Sequence, residues 1–500
     1  MTEDRYAEFV AALRRQADVA AALALLEWDQ ETFMPAGVAE QRARQIGTLA
    51  AVHHDLETEP AFLARLDDLH ARLAELDPAA AVDVRETKWR SDRTRALDTA
   101  LVRERSTLRA EARSVWIGAR ADNDFARLAP YLERIVAVER RVAAAIDRQR
   151  DPYDVLLEDY EPGTSTGALE QLFTELRNGL VPLVARLRAR LEARPLKAHA
   201  LRGHFPIDSQ RAANRRIAAD IGFDFTRGRI DEAAHPFSTS IGGDVRLTSR
   251  YDESDLRYAL FSTLHETGHG LYEQGLDPMA WGTPRGTACS LAIHESQSRL
   301  WENQVGRSAG FWRRCLPWFA QSFPALAGTG LEAALLAVNE ARPSLIRTES
   351  DEITYNLHIL LRFDLERALL AGDLPVADLP GAWAERMDRY LGVAPTTDRE
   401  GVLQDVHWAC GALGYFPTYT LGNVYAAMLC EAAIAALGPL DNLLARGEAA
   451  TLLEWLRTHV HRRGQTQRAV ALIEAATGRP PTCAPLLAHL ASKLAFLEAH

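Results

Sequence analysis

Residues 252–275 read DESDLRYALFSTLHETGHGLYEQG, and this stretch carries the pattern that decides the fold class. Apolar side chains recur every four positions, at Leu256, Leu260 and Leu264. That spacing is typical of one face of an amphipathic α-helix. Ser254 or Asp252 is suited to cap its start, and Gly275 marks its expected end. The sequence therefore predicts a helix here, and the helical pattern continues through the rest of the chain except for one small segment that precedes this helix.

Two histidines in this helix, His265 and His269, are four positions apart. Positions i and i+4 lie on one helical face about one turn apart, so both imidazoles can reach a single metal ion. Glu266 is rotated by about 100° around the axis and need not be a ligand. It is suited to take a proton from water at the metal and pass it to a leaving amine. The pattern predicts metal-assisted hydrolysis.

A second acidic cluster, HESQSRLWEN, occupies residues 294–303 after a connection rich in glycine and proline. Such a connection can turn one helix back on another, and Glu295 then completes a two-histidine, one-glutamate site. His294 is the alternative third ligand, because adjacent helical residues point about 100° apart and only one can face the ion. Glu302 either orients a ligand histidine or pairs with a surface arginine. This ligand set predicts zinc, with cobalt as an alternative.

The rest of the chain predicts a mainly α fold with one small β segment. Residues 1–150 are rich in strong helix formers and are expected to form helices that could serve as a lid. Gly, Pro, His and Asp become more frequent between about 196 and 250, which favours short strands. The helical pattern returns at 252 and continues to 500. Without an evident linker, we expect a single domain spanning residues 1–500.

Composition narrows the class of protein. The net charge of -11 disfavours a nucleic-acid-binding surface and a basic membrane-binding face. The N-terminal residues lack the pattern of a secretory signal, and the five cysteines are scattered, which favours reduced thiols and a cytoplasmic location. We therefore expect neither nucleic acid nor a membrane among its partners.

The paired motifs HETGH (265–269) and HESQSR (294–299) resemble the signature of the carboxypeptidase Taq family of metallocarboxypeptidases. The resemblance extends over most of the chain, through WDQ (28–30), MP (34–35), DEAAHPF (231–237), DVRLT (244–248), IRTESD (346–351), GVLQDVHW (401–408) and GYFPTY (414–419). One departure is Ser350, where the family often has alanine.

The resemblance implies a single helical, saddle-shaped domain with a deep groove, related in shape to neurolysin and angiotensin-converting enzyme. It also implies a cytoplasmic homodimer that uses zinc or cobalt. The expected activity is release of single C-terminal amino acids from peptides, with broad specificity. An endopeptidase, a dipeptidyl carboxypeptidase and a catalytically silent peptide-binding protein are the alternatives.

An exopeptidase must recognise a free carboxylate, which the planar guanidinium of arginine can bind at two points. By resemblance, Arg347 is the candidate and Arg246 the alternative. The alternative is that Arg347 has only a structural role and pairs with a neighbouring acid, such as Glu349, Asp351 or Glu352.

The resemblance also implies that His407 and Tyr415 stabilise the negative charge that develops on the scissile carbonyl, with Tyr419 nearby. Gly411 and Gly414 suggest a mobile loop around these residues. Three further residues are weaker candidates: His235 for the substrate groove, and Gln404 and Asp405 in support.

Overall fold

The computed structural model describes residues 2–194 and 199–500, and the fold is mainly helical, as predicted. The helices up to the sheet are α1 (Thr2–Thr32), α2 (Ala39–Glu57), α3 (Pro60–Ala71), α4 (Pro78–Arg95), α5 (Thr99–Asp122), α6 (Phe125–Ile146), α7 (Pro152–Leu157), α8 (Thr166–Ala193) and α9 (Ile207–Asp220). Those after it are α10 (Leu256–Gly275), α11 (Leu291–Arg299), α12 (Ala309–Ser322), α13 (Leu331–Val338), α14 (Glu352–Ala371), α15 (Leu379–Leu391), α16 (Pro417–Leu437), α17 (Leu440–Arg446), α18 (Ala449–His459), α19 (Ala469–Thr477) and α20 (Ala484–Ala499).

The small β segment is a three-stranded sheet made of β1 (Gly228–Glu232), β2 (Ser238–Ile241) and β3 (Asp244–Ser249). The strand order is β1-β3-β2, with β1 parallel and β2 antiparallel to β3. The sequence predicts strands from about residue 196, but residues 195–198 lie outside the described residues and helix α9 precedes the first strand. This helix forms because its buried side chains pack on α10, where Asn214 donates to the carbonyl of Ala259 and to Thr263.

The chain divides into two compact units, each assembled from separate stretches of sequence. The first comprises the described parts of Met1–Asp92, Ala198–Val338 and Leu429–Pro480, and the second those of Arg93–Lys197, Asn339–Met428 and Pro481–His500. Two of the crossings, at 92/93 and 428/429, fall inside α4 and α16 rather than in linkers. Because domain boundaries usually fall in exposed linkers, this supports the prediction of a single domain, which stays a prediction.

Helix α16 is, within the described ranges, the one helix that is long and apolar enough to cross a membrane. Two thirds (67%) of its apolar stretch is buried inside the fold. A core helix passes the same test of length and composition, and the burial of α16 fits that explanation.

Helix α10 begins one residue after its cap, and the cap is neither Ser254 nor Asp252, the two residues that the sequence suggests. Asp255 accepts the backbone N–H of Arg257 and fixes the first turn. Asp252 instead accepts the backbone N–H and the hydroxyl of Ser254, which closes a local turn before the helix. The predicted end at Gly275 is confirmed.

Candidate metal centre

In the first unit, α10 brings the two histidines onto one face. The ring centroids of His265 and His269 are 4.9 Å apart. Their Nε2 atoms lie 3.6 Å and 3.4 Å from the same oxygen, Oε2 of Glu295 on α11. One ligand atom from each of these three side chains lies within 4.8 Å of the other two. Two imidazole nitrogens and a carboxylate oxygen at this spacing fit a divalent ion of the zinc type.

Gly268 explains why α11 can come so close. A Cβ atom at this position would lie 2.6 Å from both the carbonyl oxygen of Gln297 and the Cα of Ser298. Real side chains do not tolerate such contacts with backbone atoms, so the glycine allows the two helices to touch between the pair of histidines and the third ligand. The middle of the motif is therefore as important for assembling the site as its ends.

Glu295 is held as a carboxylate by its own helix. Arg299 donates its Nε–H to Oε1 at 2.6 Å, and the hydroxyl of Ser298 donates to Oε2 at 3.0 Å. Burial opposes ionisation, but Arg299 and the two histidines outweigh it and hold the pKa of Glu295 well below its usual value.

His265 is supported from behind by Glu302. The Nδ1 atom of His265 lies 2.9 Å from Oε2 of Glu302, in the segment Leu300–Val305, where α11 continues as a π-helical turn. Arg299 and Arg307 flank the same carboxylate at 3.1 Å and 3.5 Å. They and His265 overcome the effect of burial and lower the pKa of Glu302 to about 2. A carboxylate behind a ligand histidine fixes which ring nitrogen faces the ion.

Glu266 lies beside the candidate ligands without belonging to their cluster. It is buried, with 7% of its surface exposed. Burial, only partly offset by His265, raises the pKa of this carboxyl to about 7. A carboxyl with that pKa can both accept and return a proton near neutrality.

His294 is not a member of the candidate ligand cluster but contacts one of its histidines. Its Nδ1 lies 2.5 Å from Nδ1 of His269, and its Nε2 lies 2.8 Å from Oε1 of Glu273. Of the two adjacent candidates for the third ligand, Glu295 and not His294 belongs to the cluster that could hold an ion.

The candidate residues after 340 belong to the second unit, where Asp405 lies between two arginines. Arg347 donates Nε–H and an Nη2–H to Oδ1, at 3.1 Å and 2.7 Å, and an Nη1–H to the hydroxyl of Tyr355 at 3.1 Å. Arg362 donates Nε–H to Oδ2 at 2.7 Å. Arg347 is buried, at 6% exposure, and pairs with Asp405 rather than with the acids near it in sequence. Gln404, the other supporting candidate, accepts the backbone N–H of Arg347.

His407, Tyr415 and Tyr419 lie together in this unit. The ring of His407 is 5.3 Å from that of Tyr415, and Tyr415 is 5.4 Å from Tyr419, measured between centroids. The Nε2 atom of His407 is 3.4 Å from the hydroxyl of Tyr419. Burial lowers the pKa of His407 to about 4, so this histidine is neutral at pH 7.

The segment carrying these residues is anchored by a buried carboxylate, Glu366. Three donors converge on it: the hydroxyl of Tyr153 at 2.8 Å, the indole of Trp408 at 2.8 Å and the backbone N–H of Gly414 at 3.1 Å. Gly411 and Gly414 have φ values of 66° and 88°. The sequence suggests mobility at these glycines, but the positive φ angles give a conformational reason for them.

The two remaining candidates differ in burial. His235 is exposed in the first unit. Arg246 on β3 pairs with Asp244 at 2.7 Å, and its guanidinium lies 4.2 Å from the ring centroid of Trp28.

Sequence reasoning names the three members of this candidate cluster but misses most of the residues that support them. It treats Gly268 only as a letter of the motif, and it does not single out Arg299 or Glu273. The spacing of Arg299, four residues after Glu295 on a helix, is the available signal for an ion pair. Glu273 has none, because its partner His294 is distant in sequence and meets it only through the packing of α10 against α11.

Comparison with known proteins identifies the family of the chain. A family model described as carboxypeptidase Taq (M32) metallopeptidase matches residues 8–494. Thermostable carboxypeptidase 1 of Thermus thermophilus is 44% identical, with 99% of each chain covered, and carboxypeptidase 1 of Bacillus subtilis is 36% identical over 98% of each. The crystal structure of the M32 carboxypeptidase from Deinococcus radiodurans R1 superposes with a TM-score of 0.96 at 40% identity, covering 99% of this chain and 100% of that one. The resemblance seen in the motifs is confirmed: the chain belongs to the carboxypeptidase Taq (M32) family and is a metallocarboxypeptidase.

Proposed function

We propose that this metallocarboxypeptidase releases single amino acids from the C-termini of peptides with broad specificity, using zinc or, in its place, cobalt. The observation that carries the proposal is the convergence of the two Nε2 atoms and one carboxylate oxygen beside a buried carboxyl. His265, His269 and Glu295 would hold the ion. When bound, it would polarise the scissile carbonyl and lower the pKa of water at its open position to about 7.

Glu266 is the proposed general base and acid. Its carboxyl has a pKa of about 7, so it can take up a proton as water attacks and return it to the leaving amine. The proposal assigns no ligand role to it, because the candidate cluster is complete without Glu266.

Arg347 is the proposed ligand for the substrate's terminal carboxylate, with Arg246 as the alternative. Three of the five N–H donors of Arg347 are used by Asp405 and Tyr355, so a substrate carboxylate would be bound by those that remain. Stacking over Tyr419, at 5.1 Å from the ring centroid, keeps the guanidinium in a defined plane.

Tyr415 and His407 are the proposed donors to the carbonyl oxygen as it becomes negative. A neutral imidazole and a phenol can each donate one hydrogen bond, and both groups lie in one aromatic cluster with Tyr419. Whether His235 contacts the substrate stays a prediction.

The test uses a peptide with a blocked N-terminus, incubated with the purified protein with and without zinc or cobalt. Product masses should show stepwise loss of single C-terminal residues, abolished by a chelator. Glu266→Gln should still bind metal but lose roughly 10²–10⁴-fold in rate. Release of dipeptides would instead indicate a dipeptidyl carboxypeptidase, and internal fragments an endopeptidase. Either result would contradict the proposal that Arg347 binds the terminal carboxylate. Failure to cleave with metal would favour a silent peptide-binding protein.

We further propose a cytoplasmic homodimer that binds neither nucleic acid nor membranes. The net charge of -11 supports the absence of such partners, and the five free cysteines, four of them buried, support the location. Light scattering on the purified protein would test the dimer, and fractionation of cells would test the location.

A further inference from the structure

The two candidate histidine ligands are supported in different ways on the side away from the ion. His265 contacts a carboxylate directly through Nδ1, at 2.9 Å from Glu302. His269 instead contacts a second imidazole, which in turn contacts a carboxylate, through Nδ1–Nδ1 and Nε2–Oε1 distances of 2.5 Å and 2.8 Å. The three residues His269, His294 and Glu273 form a continuous chain that begins at a ligand on α10, passes through α11 and returns to α10 one turn after His269.

Only one arrangement of protons satisfies this chain when His269 holds a metal. The ligand nitrogen Nε2 must then be bare, so Nδ1 of His269 carries the proton and donates it. The Nδ1 atom of His294 accepts that bond and must be bare in turn. A neutral His294 therefore carries its proton on Nε2, and this N–H donates to Glu273.

Glu273, the last residue of this series of hydrogen bonds, is suited to be the final acceptor. Glu273 is largely buried, and His294 and the hydroxyl of Ser240 on β2 donate to it; they outweigh burial and lower its pKa, which keeps it an acceptor. It thus orients His294, which orients His269. The neighbouring ring of Tyr272, with its centroid 5.1 Å from that of His294, restricts the rotation of the imidazole.

We infer that His294 and Glu273 are positioning residues that set the tautomer and orientation of His269 and thereby the affinity of the site for its metal. The inference rests on the proposed metal site. It assigns the first residue of the second motif a function of its own, distinct from that of the adjacent ligand Glu295. It also predicts that Glu302, which contacts His265, affects metal binding independently of His294 and Glu273. No contact between Glu302 and either of these two residues is found among the described residues.

The experiment measures zinc affinity by competition with a chromophoric chelator in the full-length protein. His294→Gln should weaken zinc binding about 10–100-fold, and Glu273→Gln about tenfold, because a neutral amide replaces the charged acceptor. The double variant should be no weaker than His294→Gln alone, because both changes interrupt one chain. The visible spectrum of the cobalt-loaded protein should shift in His294→Gln, since one ligand has changed its orientation.

Glu454→Gln makes the same chemical change in an exposed ion pair with Arg462 in the same unit, and it should leave both readouts unchanged. Thermal unfolding of the metal-free variants identifies any that fail to fold, and for these Glu273→Asp replaces Glu273→Gln. Wild-type affinity in both single variants, or fully additive losses in the double variant, would overturn the inference. A wild-type protein that binds no zinc or cobalt would overturn the proposed metal site, and this inference with it.

Discussion

Replacing Gly268 by alanine tests whether the contact between α10 and α11 assembles the metal site. The added Cβ would lie 2.6 Å from backbone atoms of Gln297 and Ser298, where favourable contacts begin at about 3.5 Å. Because backbone atoms cannot rotate away, the two helices must separate by roughly 1 Å, the difference between these distances. Functional sites tolerate displacements of only about 0.5 Å, so the ligands on the two helices would no longer converge.

A matched control variant sets the expected changes in the free energy of unfolding. Gly47 is an exposed glycine within α2, and a Cβ atom added to it would meet no other atom within 4 Å. Gly47→Ala should raise the free energy of unfolding by about 1 kcal/mol, the difference in helix propensity. Gly268→Ala gains the same propensity but overpacks a backbone contact at a cost of about 1–3 kcal/mol. We therefore expect a net loss of up to about 2 kcal/mol relative to the wild type, and a stability about 1–3 kcal/mol below that of Gly47→Ala.

Denaturant unfolding of the metal-free proteins gives the stability, and chelator competition gives the zinc affinity. We expect Gly268→Ala to bind zinc at least about tenfold more weakly, as when a ligand loses its orientation, and Gly47→Ala to bind it as the wild type does. If Gly268→Ala were as stabilising as Gly47→Ala and bound zinc normally, the close approach of the helices would be irrelevant to the site.

Three further predictions concern the second unit. Tyr415→Phe should lower kcat in a steady-state assay by about 10²-fold with little change in KM, and Tyr419→Phe should lower it less. Equal losses of kcat in the two variants would contradict the proposal that Tyr415 is the donor to the carbonyl oxygen. Arg347→Lys should reduce kcat/KM for a peptide with a free C-terminus, but not zinc affinity, because lysine cannot form the planar contacts of the guanidinium. Burial raises the pKa of Glu366 to about 7 from about 4.5, so its contribution to stability is fully present below pH 4.5 and is lost as the pH rises through 7. The free energy of unfolding measured from about pH 4.5 to 8 should therefore decline by about 3 kcal/mol less in Glu366→Gln than in the wild type, and parallel profiles would contradict this.

The local parts of this site are predictable from the sequence because they follow helical spacing. The i and i+4 histidines, and the end of α10 at Gly275, depend only on the geometry of one helix. Features that depend on contacts between elements are not predictable in this way. Examples are the cap at Asp255, the formation of helix α9 in a region expected to be extended, and the contact of Glu273 with His294. Each of these depends on packing against another element, and local sequence patterns do not reveal which element that is.

Charge explains why the two clusters suit different parts of a peptidase reaction. In the first unit, two imidazole nitrogens and one oxygen of Glu295 converge, an arrangement that suits a cation, while Arg299 and Arg307 pair with the remaining carboxylate oxygens. In the second, Arg347 and Arg362 share one carboxylate, Asp405, and His407 is neutral. Asp405 and Tyr355 use three of the five N–H donors of Arg347, and a substrate carboxylate would accept from the other two. An endopeptidase has no terminal carboxylate to bind, so these two donors suit an enzyme that acts at the C-terminus.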